Sequence, residues 1–556
     1  MPQFEISKHY RPQFSFNSRR SPIYSTKNMV ASSQPLATQA GIEILKSGGN
    51  AADTAIAVAA ALAVVEPCST GLGGDAFALY YQAKTNKVWA LNGSGKSPQN
   101  LSLEKITAMG IKKELPKRHA LTVNVPGAFA MWCDMIERHG SLPLAKIFSP
   151  AIRYAMQGFP VSPVTADLWR YGAQEVLKSS PNGLELLLNG KAPRTGEIMV
   201  NRSFGQTLAK LADLSPQKAK QLFYTGNISD KIVRIVQENG GFLTHEDMAT
   251  HTSLWEESIK TDYRGYEIHE CPPNGQGLAA LIALNTLNNV DMEKTGSPMS
   301  TERLHYLIEA MRMAFADARQ HITDPQKYGV PIKKLLSTEY GIKRAEQIQD
   351  DKANPAAKSG VPQNSSDTVY FCVVDKDGNG CSMVNSNYME FGTGIVPDGL
   401  GFPLQNRGHN FSLDPSHSNV LAGGKRTYHT IIPGICLRTD KSLHSVFGVM
   451  GGFMQPQGHL QIISAMLDDA ADPQEALDRL RFCIEPGEAG GKICLEEGIP
   501  EQTIQELAGM GHEIKICKGY RRSIFGRGQI ISRKKENGVL CAGSDPRSDG
   551  CAAGLC

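Results

Sequence analysis

An α+β protein, with two sheets packed together and helices on their outer faces, is the architecture this 556-residue chain calls for. Three observations carry that expectation. Residues 117 to 350 show mostly helical apolar periodicity, as in "VPGAFAMWCDMIERHG", "SPAIRYAMQGFPVSP" and "TERLHYLIEAMRMAFADARQHI". After Thr368 the character changes to strands, in "TVYFCVVD", "GCSMVNSN", "RTYHTIIPGICLRT" and "HSVFGVMGG". Helices then return at "QPQGHLQIISAMLDD" and "DPQEALDRLR", an order that fits two sheets between helical layers.

Taken in order, residues 1 to 27 read as a disordered tail, basic and without an apolar signal segment. A helix is expected over Ala37 to Lys46, ended by Gly48 and Gly49. Asn50 or Asp53 starts an Ala-rich helix, which Pro67 stops. Its apolar core, Ala55 to Val65, is too short to span a bilayer and reads as a buried helix. "TGLGGDAFALYY" follows. Its order is helix, glycines, strand, the reverse of a dinucleotide fingerprint, so it reads as a tight turn. "GEAGGKI" at 487–493 lacks phosphate-loop spacing. "LTHEDMATH" and "TDYRGYEIHECPPNGQG" read as an excursion with short strands. Residues 350 to 366 are polar, aperiodic and hold Pro355 and Pro362, the clearest linker in the chain. Asp377-Gly378 signals a hairpin.

Composition narrows the function. A 41% hydrophobic and 20% charged content is that of a globular, not a disordered, chain. A net charge of +3 is too small to argue for nucleic acid or an acidic membrane as partner. The twelve cysteines and fourteen histidines form no CxxC, zinc spacing or HExxH, so no metal is expected. Free thiols without a signal segment point to a cytoplasmic location.

The chemistry centres on Thr368, at the junction of linker and strand. A threonine hydroxyl needs a base within reach, and no serine elbow or obvious catalytic histidine presents itself. Its own α-amino group is one such base, titrating at about 7.7–8.0, once the bond before it is cut.

The wider set of segments is specific. "ILKSGGNAADTAIAVAAALAVVEPCSTGLGGDAF", "VPGAFAMW", "HGSLPLAKIFSPAIRYAMQGFPVS", "FADARQHITDP", "VVDKDGNG", "FGTGIV", "KRTYHTIIPG", "VMGGFMQPQ" and "GSDPRSDG" occur in that order. Together they resemble the γ-glutamyltransferase family of glutathione hydrolase proenzymes, over roughly residues 28 to 550. "NSNYM" and "YHTIIPG" are nearest to its YwrD-like branch. The resemblance implies the αββα sandwich of N-terminal nucleophile hydrolases. It also implies cleavage between Asp367 and Thr368, giving a large chain (28–367) and a small chain (368–556) that stay together as a heterodimer. Thr368 is then the implied nucleophile. Gly451 and Gly452 supply oxyanion N–H groups, and Ser386 bonds the nucleophile. No cofactor is implied. A γ-glutamyl group from glutathione or a related amide would pass to water or to an amino-acid acceptor.

The substrate contacts depart from the family pattern. Ser94, in "NGSGKSP", stands where an arginine of an F-R-E-x-x-P segment holds the α-carboxylate, with Lys96 two residues on. His429 and Thr430 replace paired serines, Arg407 and Asn410 replace an amine-binding Gln and Asp, and Tyr388 replaces an Asn. The usual Thr-Thr-His reads Thr368-Val369-Tyr370. Arg407 and His429 are candidates either for binding a carboxylate in another orientation or for a structural role. An acylase for dicarboxylic groups such as glutaryl, and an uncleaved inactive scaffold, therefore stand as alternatives.

Overall fold

The computed structural model describes residues 20–354 and 367–556. Two seven-stranded sheets form its centre. The first runs, edge to edge, Cys551–Leu555, Asn28–Ser32, Asp367–Val374, Gly380–Tyr388, Asp75–Gln82, Lys87–Gly93 and Leu254–Glu257. The second runs Ile23–Ser25, Leu540–Ser544, Arg527–Arg533, Leu443–Met450, Gly434–Leu437, Tyr266–Glu270 and Ile259–Tyr263. All pairings within them are antiparallel.

Three apolar clusters mark the layers. One lies between the sheets and holds Phe77, Leu79, Tyr370, Cys372, Val446 and Ile531. A second packs helices such as Ala51–Val65, Ala128–His139 and Leu144–Gln157 on the outer face of the first sheet. A third packs Gly277–Leu287, Thr301–His321 and Met454–Asp468 on the second sheet. This is the expected αββα sandwich.

Local rules explain the boundaries. Asn50 caps the Ala-rich helix, and Asp53 completes a reciprocal capping box, so both candidate residues take part. All fifteen residues of that helix are buried, and alanine at most positions lets neighbours approach closely. The Asp377-Gly378 step turns the central hairpin, with Gly378 at φ +82°.

Three expectations need correction. The tail expected over 1–27 is ordered at its end: Ile23–Ser25 pairs with Leu540–Ala542, and Arg20 donates to the Ser544, Asp545 and Ser548 carbonyls. Residues 1–19 lie outside the described residues. "LTHEDMATH" forms a short helix, His245–Ala249, because Thr244 and Asp247 make a capping box; the strands begin at Leu254. The 350–366 linker is packed at its start, where Ala353 N–H donates to the Met510 carbonyl and Asn354 N–H to Glu309. Residues 355–366 lie outside the described residues. A small sheet, Phe482–Glu485, Lys492–Glu496 and Ile514–Cys517, is an addition the patterning did not signal.

Candidate active site

Strand alternation decides which side chains meet. In Asp367–Val374, Val369, Phe371 and Val373 join the helix-side core, while Tyr370, Cys372 and Val374 face the other sheet. Thr368 shares the parity of Tyr370 and so points between the sheets. Val384 faces the same way and fixes Ser386; Phe77 and Leu79 fix Asp75. Asp367 pairs with Tyr388 and Val369 with Asn385, and the register shift between them sets Thr368 beside Ser386. The two hydroxyl oxygens are 3.1 Å apart, and both residues are fully buried.

A polar cluster lies around this pair. Arg407 opens the short 3₁₀ turn Arg407–Asn410. It donates from Nη2 to Ser386 Oγ at 3.2 Å and from Nη1 to Thr430 Oγ1 at 2.8 Å. Its Nε faces Asp75 at 3.8 Å. Asp75 also accepts from Gly95 N–H at 3.0 Å and from His429 Nε2 at 3.1 Å. Burial, and then the Arg407 charge, hold His429 down to about 4, so it is neutral near pH 7. Burial lowers Arg407 to about 10 against the pull of Asp75, which leaves it protonated. Its charge sits one hydrogen bond beyond Ser386, where it favours negative charge developing on Thr368.

Tyr388 completes the cluster. Its φ of +79° is unusual for a large side chain and lets its N–H reach Ser386 Oγ at 2.9 Å. Its ring lies 4.4 Å from the Arg407 guanidinium, and its hydroxyl donates to Asn410 at 2.6 Å. Burial pushes that phenol up to about 12, against the opposing charges of Arg407 and Arg319.

The glycine pair follows from the facing strand. Gly380, opposite Val374, is set on Leu443 and Val446, whereas Tyr370 lies on Gly448. The strands thus cross in opposite senses, and stepping back from Tyr370 to Thr368 leads to the Met450–Gly451 end. Gly451 and Gly452 have φ of +130° and +58°. At +130° an L side chain is excluded. Their carbonyls accept from Met454 and Gln455 N–H, and Gly452 O also from Gln276 Nε2 at 2.8 Å. Among the described residues, neither glycine N–H has an acceptor. Two fixed, unengaged donors at a helix start suit an oxyanion.

The remaining sequence candidates separate. Arg407, Thr430 and His429 gather with Asp75, and Asn410 joins through Tyr388. Ser94 does not reach the Thr368–Ser386 pair; its hydroxyl donates to Asn92 at 2.7 Å and meets Asn274. Lys96 is lowered by burial and by Arg426. Asp75 escaped sequence reasoning, although a signal was present: a carboxylate directly follows the glycines of "TGLGGDAFALYY". Asp75 and two of the departures, Arg407 and His429, are one cluster in space. Among the described residues, no group of three His, Cys, Asp or Glu is arranged to hold a metal, and no helix is long and apolar enough to cross a membrane.

The model of the gamma-glutamyltranspeptidase family matches residues 37–555. The chain belongs to that family. It is 38% identical over 539 residues to the glutathione hydrolase-like YwrD proenzyme of Bacillus subtilis, covering 96% of this chain and 99% of that one. It is 31% identical to the glutathione hydrolase proenzyme of Escherichia coli, covering 95% and 91%. The crystal structure of a cephalosporin acylase from Bacillus halodurans superposes with a TM-score of 0.90 at 41% identity, covering 98% and 99%. This family member therefore has the α+β fold of N-terminal nucleophile hydrolases and is an amide hydrolase or acyl transferase of the proenzyme kind.

Proposed function

We propose that this family member cuts itself before Thr368 and then hydrolyses amides through a threonyl ester. The observation that carries this reading is the hydrogen-bonded chain Thr368–Ser386–Arg407, beside Gly451 and Gly452, whose N–H groups have no acceptor among the described residues. In maturation, Thr368 Oγ1 attacks the Asp367 carbonyl carbon, and the C–N bond gives way to an ester and a free α-amine. Water then releases the Asp367 carboxylate. In turnover, the α-amine takes the hydroxyl proton as Oγ1 attacks the amide carbonyl. Gly451 and Gly452 meet the oxyanion. The ammonium returns its proton to the leaving amine, and water, or an amine acceptor, resolves the ester.

The cluster also bears on the acyl group. A γ-glutamyl group brings an α-carboxylate and an α-ammonium. Asp75 is the one carboxylate that the described side chains bring to the cluster, and it is engaged by Gly95, His429 and Arg407. Ser94 supplies no cation at the family's arginine position. The geometry favours an acyl group that carries a carboxylate and no α-ammonium, a dicarboxylic type such as glutaryl, over γ-glutamyl. The similarity to a cephalosporin acylase is in keeping with an acyl group other than γ-glutamyl.

Thr368→Ala is expected to remain one chain by intact mass and to lose about 10⁴-fold or more in amide turnover. An uncut variant that retains wild-type turnover would refute the mechanism. Glutaryl p-nitroanilide is expected to outrun γ-glutamyl p-nitroanilide at least tenfold in kcat/KM; the reverse order would restore the γ-glutamyl reading. Turnover should rise with pH through about 7.7–8.0, as the α-amine loses its proton and becomes a base.

A further inference from the structure

The helix Thr301–His321 carries three arginines. Arg303 pairs with Asp469 and Arg312 with Glu309, but Arg319, near the end, pairs with no acid among the described residues. It is only half-buried. Its Nε and Nη2 both donate to the Gly487 carbonyl at 3.2 Å, which fixes the plane of the guanidinium. Among the described residues, Nη1 has no hydrogen-bond partner. The guanidinium lies 4.1 Å from the Phe453 ring and 5.5 Å from the Tyr428 ring.

Those two rings adjoin the site in the chain. Phe453 directly follows the Gly451-Gly452 pair, and Tyr428 directly precedes His429. Their centroids are 5.9 Å apart. Gln276 ties them together: it accepts from the Tyr428 hydroxyl at 3.0 Å and donates to the Gly452 carbonyl. Arg319 thus stacks on an aromatic pair, and among the described residues one edge of its fork is open. Arg407, by contrast, is fully buried and already engaged by Ser386, Thr430 and Asp75.

We propose that Arg319 is the specificity-determining residue of the site, binding the carboxylate of the acyl group from the oxyanion side. The inference rests on the dicarboxylic reading above. Physically it uses what aromatic stacking does for arginine: the faces are satisfied by the rings while an N–H edge stays available for a carboxylate. The signal was not legible in "FADARQHITDP", because nothing in that segment places its arginine against residues 428 and 453.

The test compares wild type, Arg319→Met and Arg319→Lys on glutaryl and valeryl p-nitroanilides, which share one uncharged leaving group. Glutarate binding is measured in parallel by calorimetry, and completed self-cleavage checks that each variant has folded. The ratio of glutaryl to valeryl kcat/KM is expected to fall about 100-fold in Arg319→Met, mainly through KM, with partial recovery in Arg319→Lys. Glutarate binding should weaken at least tenfold in Arg319→Met. An unchanged ratio, or glutarate binding that is absent in wild type or unaffected by the substitution, overturns the assignment. Wild type that turns over neither anilide would overturn the amidase reading instead, and the calorimetry would still decide Arg319.

Discussion

At the scale of single residues, the cluster under Ser386 is an ionic structure, whatever else it serves. Removing the Arg407 guanidinium leaves Asp75 buried without its cation. Arg407→Met is therefore expected to destabilise the fold by about 3–5 kcal/mol in urea unfolding, besides slowing self-cleavage. His429 gives a pH test whose sign is fixed. Its folded pKa, about 4, lies below the unfolded value of about 6.5. Between these the unfolded chain binds one more proton, so its contribution to stability is complete above about pH 6.5 and falls away as pH drops toward 4. His429→Gln keeps an N–H for Asp75 and removes the titration. Near pH 5 its slope of unfolding free energy against pH should be lower than wild type by about 1.4 kcal/mol per unit. Equal slopes would mean that His429 carries its proton in the folded protein.

At the scale of elements, the glycine turn before Asp75 shows what was legible in the sequence and what was not. The order helix, glycines, strand excludes a phosphate cradle, and the structure gives the glycines a different purpose. A Cβ on Gly74 would lie 2.4 Å from the Ser386 carbonyl oxygen, so the turn sets how closely the Asp75 and Ser386 strands approach. Gly74→Ala is expected to cost about 1–3 kcal/mol and to slow self-cleavage, because relief means shifting Ser386. Gly378→Ala, at the hairpin tip with nothing nearer than 3.5 Å, should cost about 1 kcal/mol from its positive φ and leave self-cleavage as it is. Equal cleavage rates in the two would detach the turn from Thr368. Helix ends were legible because caps are local: Asn50, Asp53 and Pro67 act within a few residues. Alternation was legible for the same reason, and it orients Thr368. The Asp75–Arg407–His429 cluster was not, because its members lie in three distant segments, and neither was the pairing of Ile23–Ser25 with Leu540–Ala542. Such contacts depend on which strands become neighbours, and no local pattern encodes that.

At the scale of the molecule, the cut before Thr368 would divide both sheets between the two products. In the first sheet, Cys551–Leu555, Gly380–Tyr388 and all of Asp367–Val374 but its first residue come from after the cut and interleave with strands from before it: Asn28–Ser32 lies between Cys551–Leu555 and Asp367–Val374, and Asp75–Gln82 borders Gly380–Tyr388. In the second, four strands of the small chain are flanked by Ile23–Ser25 on one edge and Tyr266–Glu270 on the other. Neither product keeps a complete sheet, so neither retains a core once parted from the other. Unfolding of the mature protein then yields two separate polypeptides, and its midpoint must depend on concentration. Each tenfold dilution should lower the apparent stability by about 1.4 kcal/mol. Uncut Thr368→Ala, being one chain, should unfold at a midpoint independent of concentration. Urea unfolding of both proteins at several concentrations separates the cases. A mature protein whose midpoint does not move with dilution, or whose chains part on a sizing column without denaturant, would show that each product folds on its own.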